Sequence, residues 1–152
     1  MFAKKSFTLT VLLVLSVFTL TACGSGYVDA LNPVIDEFND AASAFNAQLS
    51  IVNNDNSKFT DPQWVAETET TLAAMRGAGQ ALKNLPEPDS SDYNRLNNLV
   101  QQLADASLNF ADKYGAAIRA GDISMTDDAD PFMDKINELL PQINAEVSRL
   151  DG

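Results

Sequence analysis

The chain has 152 residues, 45% of them apolar, with 10 basic and 21 acidic side chains, no histidine and one cysteine. A formal charge of −11 argues against nucleic acid as a partner, and the missing histidine removes the commonest metal ligand and general base. One cysteine leaves no intramolecular disulfide.

Residues 1–22 have the three parts of an export signal: Lys4 and Lys5 at the start, an apolar run from Phe7 to Phe18, and small Thr21 and Ala22 before the only cysteine, Cys23. The run is shorter than the roughly 18 to 20 apolar residues that span a bilayer. Leu20-Thr21-Ala22-Cys23 resembles the lipobox of bacterial lipoproteins: an aliphatic residue, two small residues, then the cysteine. That resemblance implies cleavage before Cys23, diacylglyceryl attachment to its sulfur, and an extracytoplasmic body anchored to a bacterial membrane. It covers residues 1–23 and no more. Each buried methylene of an acyl chain contributes about 0.8 kcal/mol, so two or three chains on one residue hold firmly. The expected division is therefore a cleaved signal at 1–22, the lipidated cysteine and a flexible Gly24-Ser25-Gly26 tether at 23–27, and one domain at 28–152.

Loss of Lys4 and Lys5 leaves eight basic against 21 acidic residues, a formal charge of −13. Such a body is repelled by anionic headgroups, so covalent lipid must do the holding.

Leu31, Ile35, Phe38, Ala42, Phe45, Leu49 and Val52 recur at alternating spacings of four and three and predict a first helix. Asp29 or Asn32 caps its start, and Pro33 is tolerated in a first turn. Asn32, Asn39, Asn46 and Asn53 form a row beside the seam. The row reads either as a solvated flank or as a polar rail that fixes the register of a neighbour.

Asp61-Pro62 opens a second helix, with Trp64, Thr68, Leu72, Met75, Gly79 and Leu82 on its seam. Its second half, from Ala73 to Ala81, is unusually small, which predicts close helix packing or, as the alternative, a groove for an external helix or apolar ligand. After the stiff Pro86–Ser91 connection, Leu96, Val100, Leu103, Ser107, Phe110, Tyr114 and Ile118 predict a third helix, stopped at Gly121. The aspartates between Asp122 and Asp130 raise the question of a cation, but their spacing lacks the glycine and closing glutamate of an EF-hand loop. Asp130-Pro131 opens a fourth helix with Phe132, Ile136, Leu139, Ile143, Val147 and Leu150 facing one way. Pro141 in its middle predicts a kink, or a break into two shorter helices.

No stretch carries strand signals. The expected fold is all-α: an antiparallel up-down four-helix bundle, with its last helix kinked or broken near Pro141. No phosphate loop, nucleophile–base pair or Glu-x-x-His motif occurs, so the pattern assigns no catalytic, cofactor or metal residue and points away from an enzyme. The only assigned site is Cys23, as the lipid attachment. The expected partners are the membrane, reached through that lipid, and a protein of the cell envelope. The expected role is a non-catalytic interaction or structural module. The alternative is an extracytoplasmic binding protein that holds a small apolar ligand between its helices, near Met75, Ala78 and Gly79.

Overall fold

The computed structural model describes residues 26–151, with side chains through residue 150, so the signal segment and Cys23 lie outside the described residues. These residues form α1 (Gly26–Asn54), α2 (Pro62–Lys83), α3 (Asn94–Ala120) and α4 (Asp130–Asp151). Single 3₁₀ segments at Asn56–Thr60, Ser91–Tyr93 and Ile123–Asp128 join them. No strand occurs among the described residues, and the protein is all-α there.

Apolar spacing sets which faces are buried. All seven seam residues of α1 are buried, as are the six of α2 and the seven of α3. Consecutive helices pack against one another, α1 on α2, α2 on α3 and α3 on α4. Phe45 of α1 also reaches α3, edge-on to Phe110 at 5.2 Å and to Tyr114 at 5.0 Å between ring centroids. Edge-to-face rings place the positive rim of one on the negative face of the next, which stabilises by about 0.5–1.5 kcal/mol beyond burial.

The helix ends follow local chemistry. Asp61 Oδ1 accepts from the amides of Gln63 and Trp64 at 3.0 and 3.2 Å, and Pro62 occupies the first helical position, where no amide donor is needed. Gly121 stops α3 at φ 64°, a left-handed conformation that costs a glycine little. Its amide donates to Ile118 and that of Asp122 to Ala117, which satisfies two carbonyls at the helix end.

Two expectations need correction. α1 starts at Gly26, ahead of Asp29 and Asn32, and takes in Gly26 and Tyr27, which had been assigned to the tether. Tyr27 and Val28 extend the apolar stripe by a turn, and both are buried. Pro33 is thus an interior residue that leaves the Asp29 carbonyl without its helical donor. Of the kink or break expected at Pro141, the break does not occur: α4 runs through Pro141 as one helix. Leu139, Leu140 and Ile143 are buried on either side of the proline, and their packing holds the turn together. Ile136, Leu139, Ile143 and Val147 of the stripe expected for α4 are buried, Phe132 and Leu150 are half-buried against the core, and Met133, Leu140 and Glu146 widen the stripe. The aspartate stretch after Gly121 forms a 3₁₀ segment, capped by Asp122 accepting from the amide and hydroxyl of Ser124.

Candidate functional site

Cys23, the residue to which sequence assigns chemistry, lies outside the described residues, three positions before α1 begins. Three residues of chain reach at most roughly 10 Å. The start of α1 and whatever packs beside it therefore make up the end nearest that cysteine.

The Tyr27 hydroxyl donates to Asn97 Oδ1 on α3 at 3.2 Å, and its ring sits 6.2 Å from that of Tyr93. Burial pushes the Tyr27 phenol well above its ordinary value. The same end of α3 meets the last turns of α4. There Glu146 accepts from Arg149 at 2.6 and 2.9 Å and lies 3.4 Å from Arg95 Nε. Arg149 also reaches the Asp92 carbonyl at 3.3 Å. The Glu146 carboxylate is covered rather than deeply embedded: its side chain is 3% accessible, but the cover consists of arginines that are 71% and 54% accessible. The Arg149 hydrogen bond outweighs the desolvation and holds its carboxyl below the usual range. Sequence reasoning missed this trio, because a glutamate at a stripe edge reads as solvated until tertiary packing covers it.

The small half of α2 is a contact surface. A Cβ at Gly79 would lie 3.3 Å from two carbons of Leu108 and 3.5 Å from Ser107, so α3 already fills that space. Met75 and Ala78, the other residues expected to line a ligand space, are buried at 0% and 3% exposure. Gly77 faces the other way, with nothing within 4 Å of its Cβ position. Along the same seam Arg76 pairs with Asp112 at 2.8 Å, and Lys83 pairs with Asp105. Gln101 donates to the Leu82 carbonyl at 3.1 Å.

The asparagine row is not a uniform flank. Asn39 is 7% exposed, whereas Asn32 and Asn46 are half-buried and Asn53 is exposed. At the far end, Asp130 is pushed above its ordinary value by partial burial and by Asp127 and Asp134. No group of three or more carboxylates or thiols among the described residues lies close enough to hold a metal ion. Tyr114, raised by burial and by the Asp130 charge, has a hydroxyl that is buried without a hydrogen-bond partner.

No helix among the described residues is long and apolar enough to cross a membrane. Compared with protein families, curated proteins and solved structures, the chain matches none.

Proposed function

We propose that this chain is a lipoprotein of a bacterial cell envelope. In this reading Cys23 carries the lipid, and residues 26–151 form an antiparallel up-down four-helix bundle that serves as a non-catalytic interaction or structural module outside the cytoplasm. The observation that carries the reading is Leu20-Thr21-Ala22-Cys23, placed directly after a charged start and a short apolar run.

Helix pairings support the antiparallel arrangement. From α2 to α3, Arg76 meets Asp112, Gly79 meets Leu108 and Lys83 meets Asp105, so rising numbers on one helix match falling numbers on the other. Between α3 and α4, Arg95 faces Glu146, and the carbonyl of Asp92, just ahead of α3, accepts from Arg149. Between α1 and α3 the sense is the same for both, Tyr27 with Asn97 and Phe45 with Phe110. The module reading over a ligand carrier draws support from Leu108, which occupies the space beside Gly79.

The test is fractionation of cells that express the full chain, with Cys23→Ser beside it, and mass measurement of the mature N-terminus. The reading expects the native chain in the membrane fraction with an acylated Cys23, and the variant released from the membrane. A variant still bound to the membrane, or a native chain whose mature form carries no lipid, sinks the reading.

A further inference from the structure

In a chain with 21 acidic residues, basic side chains would be expected to sit beside carboxylates. At Gly115 on α3, Arg76, which does pair with Asp112, also meets a second cation, Arg119. A Cβ there would lie 3.0 Å from Arg76 Nη2 and 3.2 Å from Arg119 Nη1. Both nitrogens are that close to one point, so they stand within about 6 Å of each other, where like charges repel. Only a residue without a side chain lets both guanidiniums come so near the helix backbone.

Arg76 is held in place. Its Nε donates to Asp112 Oδ1 and its Nη2 to the Ala111 carbonyl, each at 2.8 Å. Arg119 is exposed and makes no hydrogen bond or ion pair among the described residues. The omission is informative because of the α2–α3 seam. Lys83 pairs with Asp105 and Arg76 with Asp112, seven residues apart on each helix. A further step of seven brings Glu69 opposite Arg119, yet neither forms an ion pair among the described residues. Arg119 turns toward Gly115 and the other guanidinium instead.

We infer that Arg76 and Arg119, converging over Gly115, form a binding site for a phosphate-type oxyanion, such as a soluble phosphate monoester. A guanidinium donates in a fixed plane and grips an oxyanion by paired N–H bonds. Two guanidiniums from different helices approach one ligand from two directions. A tetrahedral anion presents oxygens to both, whereas a carboxylate offers its two oxygens in one plane. The remaining negative charge of the body is screened beyond about 8 Å at physiological ionic strength.

The choice of a soluble anion over a lipid headgroup rests on the proposed anchoring. Gly115 lies 18 residues along α3 from Asn97, the partner of Tyr27 near the anchor. At 1.5 Å per residue that places the site roughly 27 Å from the membrane-facing end.

The test is a titration of the full-length protein in neutral detergent micelles, a format that does not depend on whether Cys23 is lipidated. Inorganic phosphate, acetate and glycerol 3-phosphate are added in turn, and the arginine Nε resonances are followed by NMR. Saturable shifts of Arg76 and Arg119 with phosphate and glycerol 3-phosphate are expected. Arg119→Gln and Gly115→Ala should each weaken binding by about tenfold or more without unfolding the chain. Glu69→Gln, which removes the carboxylate that the seam spacing places opposite Arg119, should bind at least as tightly. Absence of saturation with phosphate overturns the site, as does equal affinity for acetate or undiminished binding by Gly115→Ala. A shift seen only when phosphatidylglycerol is added to the micelles overturns the assignment to a soluble ligand. None of these outcomes alters the fractionation result, so the two proposals fail separately.

Discussion

Two tyrosines in this bundle predict opposite responses to the same substitution. Tyr114 is 1% exposed, with its ring packed on Phe45 and Phe110 and its hydroxyl buried without a partner. An unpaired buried hydroxyl costs roughly 1–3 kcal/mol by mutational measure. Tyr114→Phe removes that cost and gives up only a few tenths of a kcal/mol of dispersion around one oxygen. A net gain of about 0.5–2 kcal/mol follows. Tyr27 is equally covered, but its hydroxyl donates to Asn97 at 3.2 Å. Tyr27→Phe therefore loses a hydrogen bond and costs about 0.5–1.5 kcal/mol. For a domain of this size 1 kcal/mol moves the thermal midpoint by about 4 °C, so the variants should separate clearly in calorimetry or urea unfolding. pH supplies a second readout. Both phenols are raised in the fold, so their stabilising effect is complete below the ordinary phenol value of 10.0 and is lost as pH rises above it. The loss is at most about 1.4 kcal/mol per pH unit for each tyrosine, and each phenylalanine variant should remove its own share. A Tyr114→Phe protein destabilised as much as Tyr27→Phe would refute the reasoning and mean that the Tyr114 hydroxyl is paired in solution.

Gly77→Ala should stabilise by about 0.5–1 kcal/mol, because the added methyl meets nothing and the helix loses a flexible residue. Gly79→Ala should gain clearly less than Gly77→Ala, or destabilise, because its methyl presses on Leu108 at 3.3 Å; equal gains in urea midpoint would show that the α2–α3 contact is loose. Glu146→Gln should cost about 1 kcal/mol at neutral pH, a figure kept small because its arginine partners are largely exposed. The Glu146 carboxyl is lowered in the fold, so its contribution is present above the ordinary value of 4.5 and fades as pH falls. The native and glutamine proteins should therefore converge in acid, and a gap that persists there argues for packing rather than charge. Gly121→Ala should lower the thermal midpoint, since a non-glycine residue at φ 64° is strained by about 1–2 kcal/mol.

The periodic parts of the fold were legible in the sequence. The stripes of α2 and α3 could be read residue by residue, because a spacing of three and four leaves a helix one way to turn its apolar side inward. Asp61-Pro62 and Gly121 were legible for a related reason: each solves a problem of unpaired backbone groups that any helix end has. Proline was harder to read. Pro33 suggested a first turn and Pro141 a kink or a break; Pro33 lies inside α1, and α4 runs through Pro141 unbroken. The cost of a missing donor is local, and the buried side chains around each proline outweigh it. Charge was hardest. Glu146, Arg76 and Arg119 look like solvated surface residues one at a time, and only the meeting of α3 with α4, and of α2 with α3, gives them neighbours. The unusual feature at Gly115 is not a residue type but a pair of side chains that share one space.

The single tryptophan gives the protein a built-in optical reporter. Trp64 is 3% exposed, its ring lies 5.5 Å from Phe59, and its indole N–H donates to the Gln48 carbonyl on α1 at 3.0 Å. Its emission therefore registers whether α1 and α2 remain together where they are joined, far along the chain from Tyr27 and the cysteine. Under the proposed anchoring through Cys23, docking of that end to a bilayer should leave the emission unchanged, whereas parting of the first two helices should shift it to the red. A ligand or partner that alters the fluorescence thereby reports a change where α1 and α2 meet around Trp64.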